Sequence, residues 1–206
     1  IDWLGEVPAH WEVKPLKFIV ETLNGYAFKS ADFTEVGIPV LRIGDINESG
    51  IVAAKDAKFL PHDFQFRFHN VVARKMDILI AMTGATVGKS AMYLSNDVAL
   101  VNQRVCLYRA NNSNAQKFVW YLINSHYYKK YIALVAFGGA QPNISDEGLV
   151  ACKFPCPSPV EQHAITDFLD RETARIDDLI KKQERLIKLL DEKRVSLINQ
   201  AVTKGL

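Results

Sequence analysis

The last 46 residues of the chain, 161–206, contain no proline and a single glycine, Gly205. Just ahead of them Pro155, Pro157 and Pro159 fall within five residues. A proline ring clashes with the preceding turn and supplies no N–H, so this cluster ends whatever element comes before it. Ser158 stands three residues before Glu161, the spacing of a capping box, and Pro159 holds the favoured first helical position. The chain is therefore expected to divide into a part of mixed texture, 1–155, and a helical part, 156–206.

Apolar residues recur through the helical part at helical spacing. With Ile176 as position a of a heptad, Leu169, Leu190 and Leu197 also fall at a, and Ile165, Leu179 and Leu186 fall at d. Gln183 interrupts a, Glu172 and Lys193 interrupt d, and Ile180 and Ile187 at e widen the stripe. Such a stripe is too broad for a simple two-stranded zipper. A helix of ~40 residues is about 60 Å long, longer than a domain of the preceding size is wide. Part of the stripe is therefore expected to meet another helix or another chain. Nine Lys/Arg balance nine Asp/Glu from residue 161 onward, which describes a solvated interaction helix and not a basic DNA-binding arm.

Composition excludes several classes. At 206 residues, 49% hydrophobic and 23% charged, the chain can bury a core without disulfides or metal. Its longest apolar runs, such as 77–82, fall far short of the ~18–20 residues of a membrane span. The amino end has neither a basic region nor a signal-like core. Three cysteines, an odd number, suit a reduced cytoplasmic setting. A net charge of +2 does not by itself require a nucleic-acid partner.

Residues 1–154 read as α+β. Lys14 to Leu23 is expected as a short amphipathic helix ending at Asn24-Gly25. Strands are expected at 39–43, 77–81, 91–94 and 99–108. A single helix is expected from Ala115 to about Ala136, opened by Asn114, followed by a turn over Gly138–Asn143.

Four patterns bear on chemistry. Gly84-Ala85-Thr86-Val87-Gly88-Lys89-Ser90 resembles a phosphate loop, but it has three residues between its glycines where four are needed, and a strand in place of a helix follows. It is expected to be a tight turn carrying one exposed lysine, with Thr83 and Ser90 in support. Cys106, Cys152, Cys156 and His163 lack the paired clustering of a zinc site. The five histidines are scattered and none sits in a nucleophile elbow, so the chain is not expected to be an enzyme. Between Lys55 and Lys75, five Lys/Arg and two His are interleaved with Phe59, Phe64, Phe66 and Phe68. Basic groups there can neutralise phosphates, and Arg and Gln can fork onto base edges. Strict alternation of Phe64, Phe66 and Phe68 equally suits an ordinary strand with phenylalanines inward and Gln65, Arg67 and His69 outward.

Several blocks in order carry a more specific signal. They are Trp3-Leu4-Gly5-Glu6-Val7-Pro8-Ala9-His10-Trp11, 37–42, 77–89, Asn102-Gln103, Gln141-Pro142-Asn143-Ile144-Ser145 and 157–162 leading into the helix. Together they resemble half of a specificity (S) subunit of type I restriction–modification systems, over essentially the whole chain. The resemblance implies a target-recognition domain, 1–155, that binds double-stranded DNA, and a spacer and dimerisation helix, 156–206, that pairs as an antiparallel coiled coil. It implies a non-catalytic role: reading one half of a bipartite target while scaffolding modification (methyltransferase) and restriction (endonuclease and translocase) subunits. No cofactor is expected on this chain, and S-adenosylmethionine, Mg and ATP are expected on the partners. The setting implied is the cytoplasm of a bacterium or archaeon. Family subunits carry two such units in tandem, so one unit implies either an amino-terminal piece or a natural half-subunit.

The candidate DNA-contacting residues are Lys29, Lys58, Gln65, Arg67, His69, Arg74, Lys75, Lys89 and Arg104, with Gln65 and Arg67 as the base readers. A two-fold homodimer through Leu169, Ile176, Leu179, Leu186, Leu190 and Leu197 would imitate the tandem form. Two other classes stand beside this one: a coiled-coil assembly protein without a DNA role, and a nucleotide-binding enzyme using Lys89 of the 84–90 loop.

Overall fold

The computed structural model describes residues 6–47, 52, 58–139 and 141–205. Among them are ten strands and five α-helices, a mixed α/β arrangement that ends in one long helix. The strands are β1 (Glu12–Pro15), β2 (Val20–Asn24), β3 (Ile38–Leu41), β4 (Lys58–Leu60), β5 (Val72–Ala73), β6 (Ile78–Ala81), β7 (Ser90–Met92), β8 (Ala99–Val101), β9 (Val105–Ala110) and β10 (Lys153–Cys156). The helices are α1 (Phe64–Arg67), α2 (Ser113–Asn124), α3 (His126–Val135), α4 (Asp146–Val150) and α5 (Pro159–Lys204).

Two four-stranded sheets carry the core, in the orders β2-β9-β6-β7 and β4-β3-β8-β5. All neighbours are antiparallel except β3 and β8. Leu79, Ala81, Val105 and Leu107 from the first sheet form one buried cluster with Leu41, Ala73, Ala99 and Val101 from the second. Ile38, Val40, Leu60, Phe64, Val72 and Leu100 form another cluster. All four residues of β6 are fully buried. That explains its unbroken apolar run, because a strand covered on both faces has no reason to alternate.

Four sequence expectations fail for identifiable reasons. The single strand expected over 99–108 is two, β8 and β9, in different sheets, because the Val105 N–H turns back onto Asn102 O (3.0 Å). Residues 14–23 are not a helix: β1 and β2 flank a single 3-10 turn, Leu16–Phe18. The apolar spacing there suits a helix, but β2 finds a full-length antiparallel partner in β9 and β1 finds one in β10. The expected helix 115–136 is two helices. Ser125 adopts extended backbone, accepts a hydrogen bond from the Tyr128 N–H at 3.3 Å and starts α3 anew. The first of the two is capped by Asn112, not Asn114, through an Asn112 Oδ1 to Ala115 N–H bond of 2.9 Å. The strand reading of 64–68 fails as well: α1 is one helical turn, so Phe64 and Phe68 share a face while Phe66 is 76% exposed.

The chain forms two compact units, Ile1–His163 and Ala164–Leu206. The start of α5 belongs to the first unit for a local reason. The Glu161 carboxylate accepts from the Ser158 N–H (2.9 Å), the Ser158 hydroxyl (2.7 Å) and the Trp11 indole (3.0 Å), and it pairs with His10 Nε2 (2.6 Å). The expected capping box is therefore present, and it also ties down the amino-terminal segment. These partners, the Trp11 indole foremost, hold the Glu161 carboxyl at about 2, below its ordinary 4.5. Their stabilising contribution is then complete above about 4.5 and fades as pH falls toward 2. The gap in thermal midpoint between the wild type and Glu161→Gln is expected to narrow steadily below pH 4.5. A gap of constant width across that range would assign Glu161 no such role.

The second unit is the rest of α5. The whole helix, 46 residues, spans about 69 Å at ~1.5 Å per residue. Ile176, Leu179, Leu186, Leu190 and Leu197 are each 48–56% exposed, and Ile180 and Ile187 beside them are similarly open. Leu169 is half-buried. Exposed ion pairs such as Lys182–Asp178 (2.6 Å) and Arg194–Asp191 (3.4 Å) decorate the helix. No helix among the described residues is long and apolar enough to cross a membrane.

Candidate nucleic-acid interface

A cluster of aromatic rings underlies the basic segment. Tyr26 packs on Phe68 (centroids 4.6 Å apart) and Phe28 (5.3 Å), and Phe64 packs on Phe68 (5.4 Å). The Arg67 guanidinium lies across this pedestal, 4.6 Å from the Phe64 centroid and 5.7 Å from that of Phe68. Stacking on rings positions the guanidinium, and a loose, exposed ion pair to Asp63 (3.6 Å) holds one terminal nitrogen. Lys58 is held in a similar way over Phe33, at 5.3 Å. Gln65 is half-buried, His69 is exposed, and Lys29 follows Phe28 on an exposed 3-10 turn.

Tyr26 links this cluster to a second group of loops. Its N–H donates to Val101 O (2.8 Å), and its carbonyl accepts from the Gln103 N–H (3.1 Å). The preceding residue must be glycine: a Cβ on Gly25 would lie 2.0 Å from Asn102 O. Next along the strip, the Met82 N–H donates to Arg104 O (3.0 Å) and the Arg104 guanidinium reaches Thr83 Oγ1 (3.4 Å). Gly84 N–H then donates to Pro142 O (2.8 Å), and Ile144 N–H donates to Met82 O (3.0 Å). Arg67, Tyr26, Gln103 and Arg104, far apart in sequence, thus occupy one connected strip. Arg67, Gln103 and Arg104 are exposed and Tyr26 is 46% exposed. Forked guanidinium and amide groups beside an aromatic ring can bind phosphates and base edges.

The other candidates lie elsewhere. Arg74 and Lys75 precede β6, at the end of that strand opposite the Gly84 turn. The Arg74 N–H is bound to Asp77 Oδ2 (2.8 Å) and Lys75 Nζ to Asn96 Oδ1 (2.9 Å). Lys89 is half-buried at the close of the β6–β7 turn. Lys55 falls outside the described residues. Two members of the strip, Tyr26 and Gln103, are not among the sequence candidates. Gly25 beside Tyr26 is the one local hint, and it shows only once Asn102 is placed against it.

The turn does not have the form of a phosphate loop. Gly84–Thr86 is a 3-10 turn, with Gly84 and Gly88 at φ of 75° and 79°. The N–H groups of Gly84, Val87, Gly88 and Lys89 donate to Pro142, Gly84, Ala81 and Thr86 carbonyls at 2.8–3.1 Å. A phosphate cradle needs such donors free. The thiols are equally committed: burial pushes Cys106 up to about 12 and raises Cys152 and Cys156 above the ordinary thiol range. Protonated thiols are poor nucleophiles and poor ligands. Among the described residues no group of three or more His, Cys, Asp or Glu is placed to hold a metal.

Comparison with known proteins matches residues 8–189 to the family model described as the type I restriction modification DNA specificity domain. The MjaVIII type I restriction enzyme specificity subunit of Methanocaldococcus jannaschii is 29% identical over 97% of this chain and 47% of its own length. The EcoAI specificity subunit of Escherichia coli is 32% identical over 88% of this chain and 30% of its own length. The chain spans about half or less of the curated relatives it matches. Among solved structures, a chain of a type I R-M system aligns with a TM-score of 0.77 at 19% identity, over 98% of this chain and 48% of that one. The HsdS subunit from Thermoanaerobacter tengcongensis aligns with a TM-score of 0.69 at 18% identity, over 98% and 47%. At these identities the structural likeness concerns the fold alone.

Proposed function

The chain belongs to the type I restriction modification DNA specificity family, and we propose that it reads one half of a split double-stranded DNA target while its helix joins a second copy. One observation carries this reading. A domain whose strip of Arg67, Tyr26, Gln103 and Arg104 faces solvent is followed in the same chain by a 46-residue helix with a half-exposed apolar stripe. Two such chains paired antiparallel through Leu169, Ile176, Leu179, Leu186, Leu190 and Leu197 would hold two identical reading heads at a set separation. Two-fold protein symmetry then favours a palindromic, interrupted target. Methyltransferase and restriction subunits would assemble on this scaffold in the cytoplasm. They would supply the S-adenosylmethionine, Mg and ATP chemistry, with none assigned to this chain.

The test is salt-dependent binding of duplex DNA by the chain assembled with its methyltransferase subunit, on the target found by mapping methylated bases in cells carrying the system. Arg67→Ala is expected to cost about 1–3 kcal/mol and to relax preference at one base position in competition binding. Lys58→Ala is expected to weaken all duplexes alike and to lower the salt slope by about one. Assembly without salt-dependent binding would leave only a coiled-coil assembly role.

A further inference from the structure

Three polar residues interrupt the apolar stripe of α5: Gln183 at an a position, Glu172 and Lys193 at d. Their spacing is close to symmetric, with Glu172 eleven residues before Gln183 and Lys193 ten residues after it. The apolar positions repeat that symmetry. Ile176 and Leu190 lie seven residues to either side of Gln183, and Leu169 and Leu197 lie fourteen. Leu179 and Leu186 at d, and Ile180 and Ile187 at e, flank it at three or four residues. Gln183 and Lys193 are exposed, and neither side chain has a polar partner among the described residues. The Glu172 carboxylate lies 3.6 Å from Arg171 and 3.8 Å from Arg175 on its own helix, and both arginines are exposed.

In a helix of 3.6 residues per turn, d and e fall roughly 60° and 40° to either side of a, so the stripe is centred on a. When two such helices pair antiparallel about a two-fold axis, a meets a, d meets d and e meets e. An axis at Gln183 brings Ile176 onto Leu190 of the second copy, Leu169 onto Leu197, Leu179 onto Leu186 and Ile180 onto Ile187. The three interruptions are answered in the same register. Gln183 meets its own copy, and an amide is self-complementary because it both donates and accepts. Glu172 meets Lys193, carboxylate to ammonium, twice by symmetry. Other registers fail. A slide of one heptad sets Gln183 against Ile176 or Leu190, and sets Glu172 against Leu186 or Lys193 against Leu179. Each desolvates a polar group without a partner. A parallel pair in register sets Glu172 on Glu172 and Lys193 on Lys193, like charge on like. The axis at Gln183 also places Ala164, where the second unit begins, opposite Val202, so the pairing covers nearly all of that unit.

We propose that two copies of this chain pair antiparallel with the two-fold axis at Gln183, where the two amides bond to each other, and with Glu172 of each copy paired to Lys193 of the other. The inference rests on the proposed pairing of two copies and adds its register, which fixes how far apart the two heads are held. A polar residue at one a position is a known device for specifying register at a cost in stability.

The experiment uses the full chain, oxidised mildly and mapped by peptide mass spectrometry, with the wild type and its three native cysteines as control. Gln183→Cys is expected to give a covalent dimer linked 183 to 183. Ile176→Cys alone is expected to stay unlinked, because its two copies lie about 21 Å apart along the axis. Mixed with Leu190→Cys it is expected to link 176 to 190. In sedimentation, Glu172→Lys and Lys193→Glu are each expected to raise the dissociation constant at least tenfold, and the two together to bring it back to within about threefold of the wild type. A dimer in which Gln183→Cys stays unlinked, or in which Ile176→Cys links to itself, overturns the register and leaves the pairing of two copies standing. A doubly swapped chain no tighter than the single variants overturns the Glu172–Lys193 contact. A wild-type chain that sediments as a monomer throughout the micromolar range overturns the pairing and the register together.

Discussion

A chain carrying both Leu179→Lys and Leu186→Lys is expected to sediment as a monomer at micromolar concentration where the wild type sediments as a dimer. Both leucines lie at d positions of the apolar stripe, about half exposed in the single chain. In a two-fold pair each substitution acts twice, so four leucines leave the seam. At ~1.5–2 kcal/mol per buried leucine the loss is about 6–8 kcal/mol. That corresponds to a dissociation constant raised roughly 10⁴–10⁶-fold. The lysines add to this, because an ammonium in an apolar seam must be desolvated or must force the helices apart. The reading head is untouched, so its near-ultraviolet circular dichroism is expected to stay that of the wild type. A dimer that persists in the double variant would mean that this face of α5 is not the interface.

The second large effect concerns the turn that closes β5 onto β6. Asp77 is buried and its carboxylate is bidentate to Arg109: Nε to Oδ1 at 2.9 Å, a terminal nitrogen to Oδ2 at 2.5 Å. It also accepts the Arg74 N–H (2.8 Å), and Arg109 in turn donates to Val72 O (3.0 Å). The same turn holds Met76 at φ 74°, a conformation that costs a non-glycine residue energy, and the Gln116 amide donates to the Met76 carbonyl (2.9 Å). Asp77→Ala strands a partly buried guanidinium and an N–H at once. The expected loss is about 3 kcal/mol, the low end for breaking a buried ion pair because Arg109 keeps some contact with water. Against a typical domain stability of ~5–15 kcal/mol this is large. Urea unfolding would show it as a lower midpoint at unchanged slope. Asp77→Ala combined with Arg109→Leu is expected to recover part of the loss, since no charge is then left unpaired. A double variant no more stable than Asp77→Ala alone would show that the pair's worth lies elsewhere than in charge compensation.

Where causes are local, the sequence is legible. The capping box of Ser158 and Glu161 spans three residues and forms as written. The run Ile78–Ala81 is apolar on both sides and becomes the strand covered on both faces. The near-miss glycine loop forms the expected turn because Gly84 and Gly88 alone satisfy its positive φ angles. Where causes are long-range, reading fails. Val20–Asn24 has helix-like apolar spacing, and only its register against Cys106–Ala110, more than 80 residues away, makes it a strand. The alternation of Phe64, Phe66 and Phe68 is that of a strand. Burial of Phe64 and Phe68 against Tyr26 and Phe28 favours one helical turn and leaves Phe66 outside.

The long helix and the family resemblance were settled by the order of residues alone, because capping and apolar periodicity act within a few residues; the proline cluster was not the boundary it suggested, since Pro155 lies inside β10 and the units divide after His163. The gathering of Arg67, Tyr26, Gln103 and Arg104 into one strip, and the departure of Arg74, Lys75 and Lys89 from it, were decided by the tertiary structure. Backbone bonds such as Gln103 to Tyr26 and Gly84 to Pro142 join segments that share no local pattern. They exist only because β8, β9 and β6 have first been packed side by side in their two sheets.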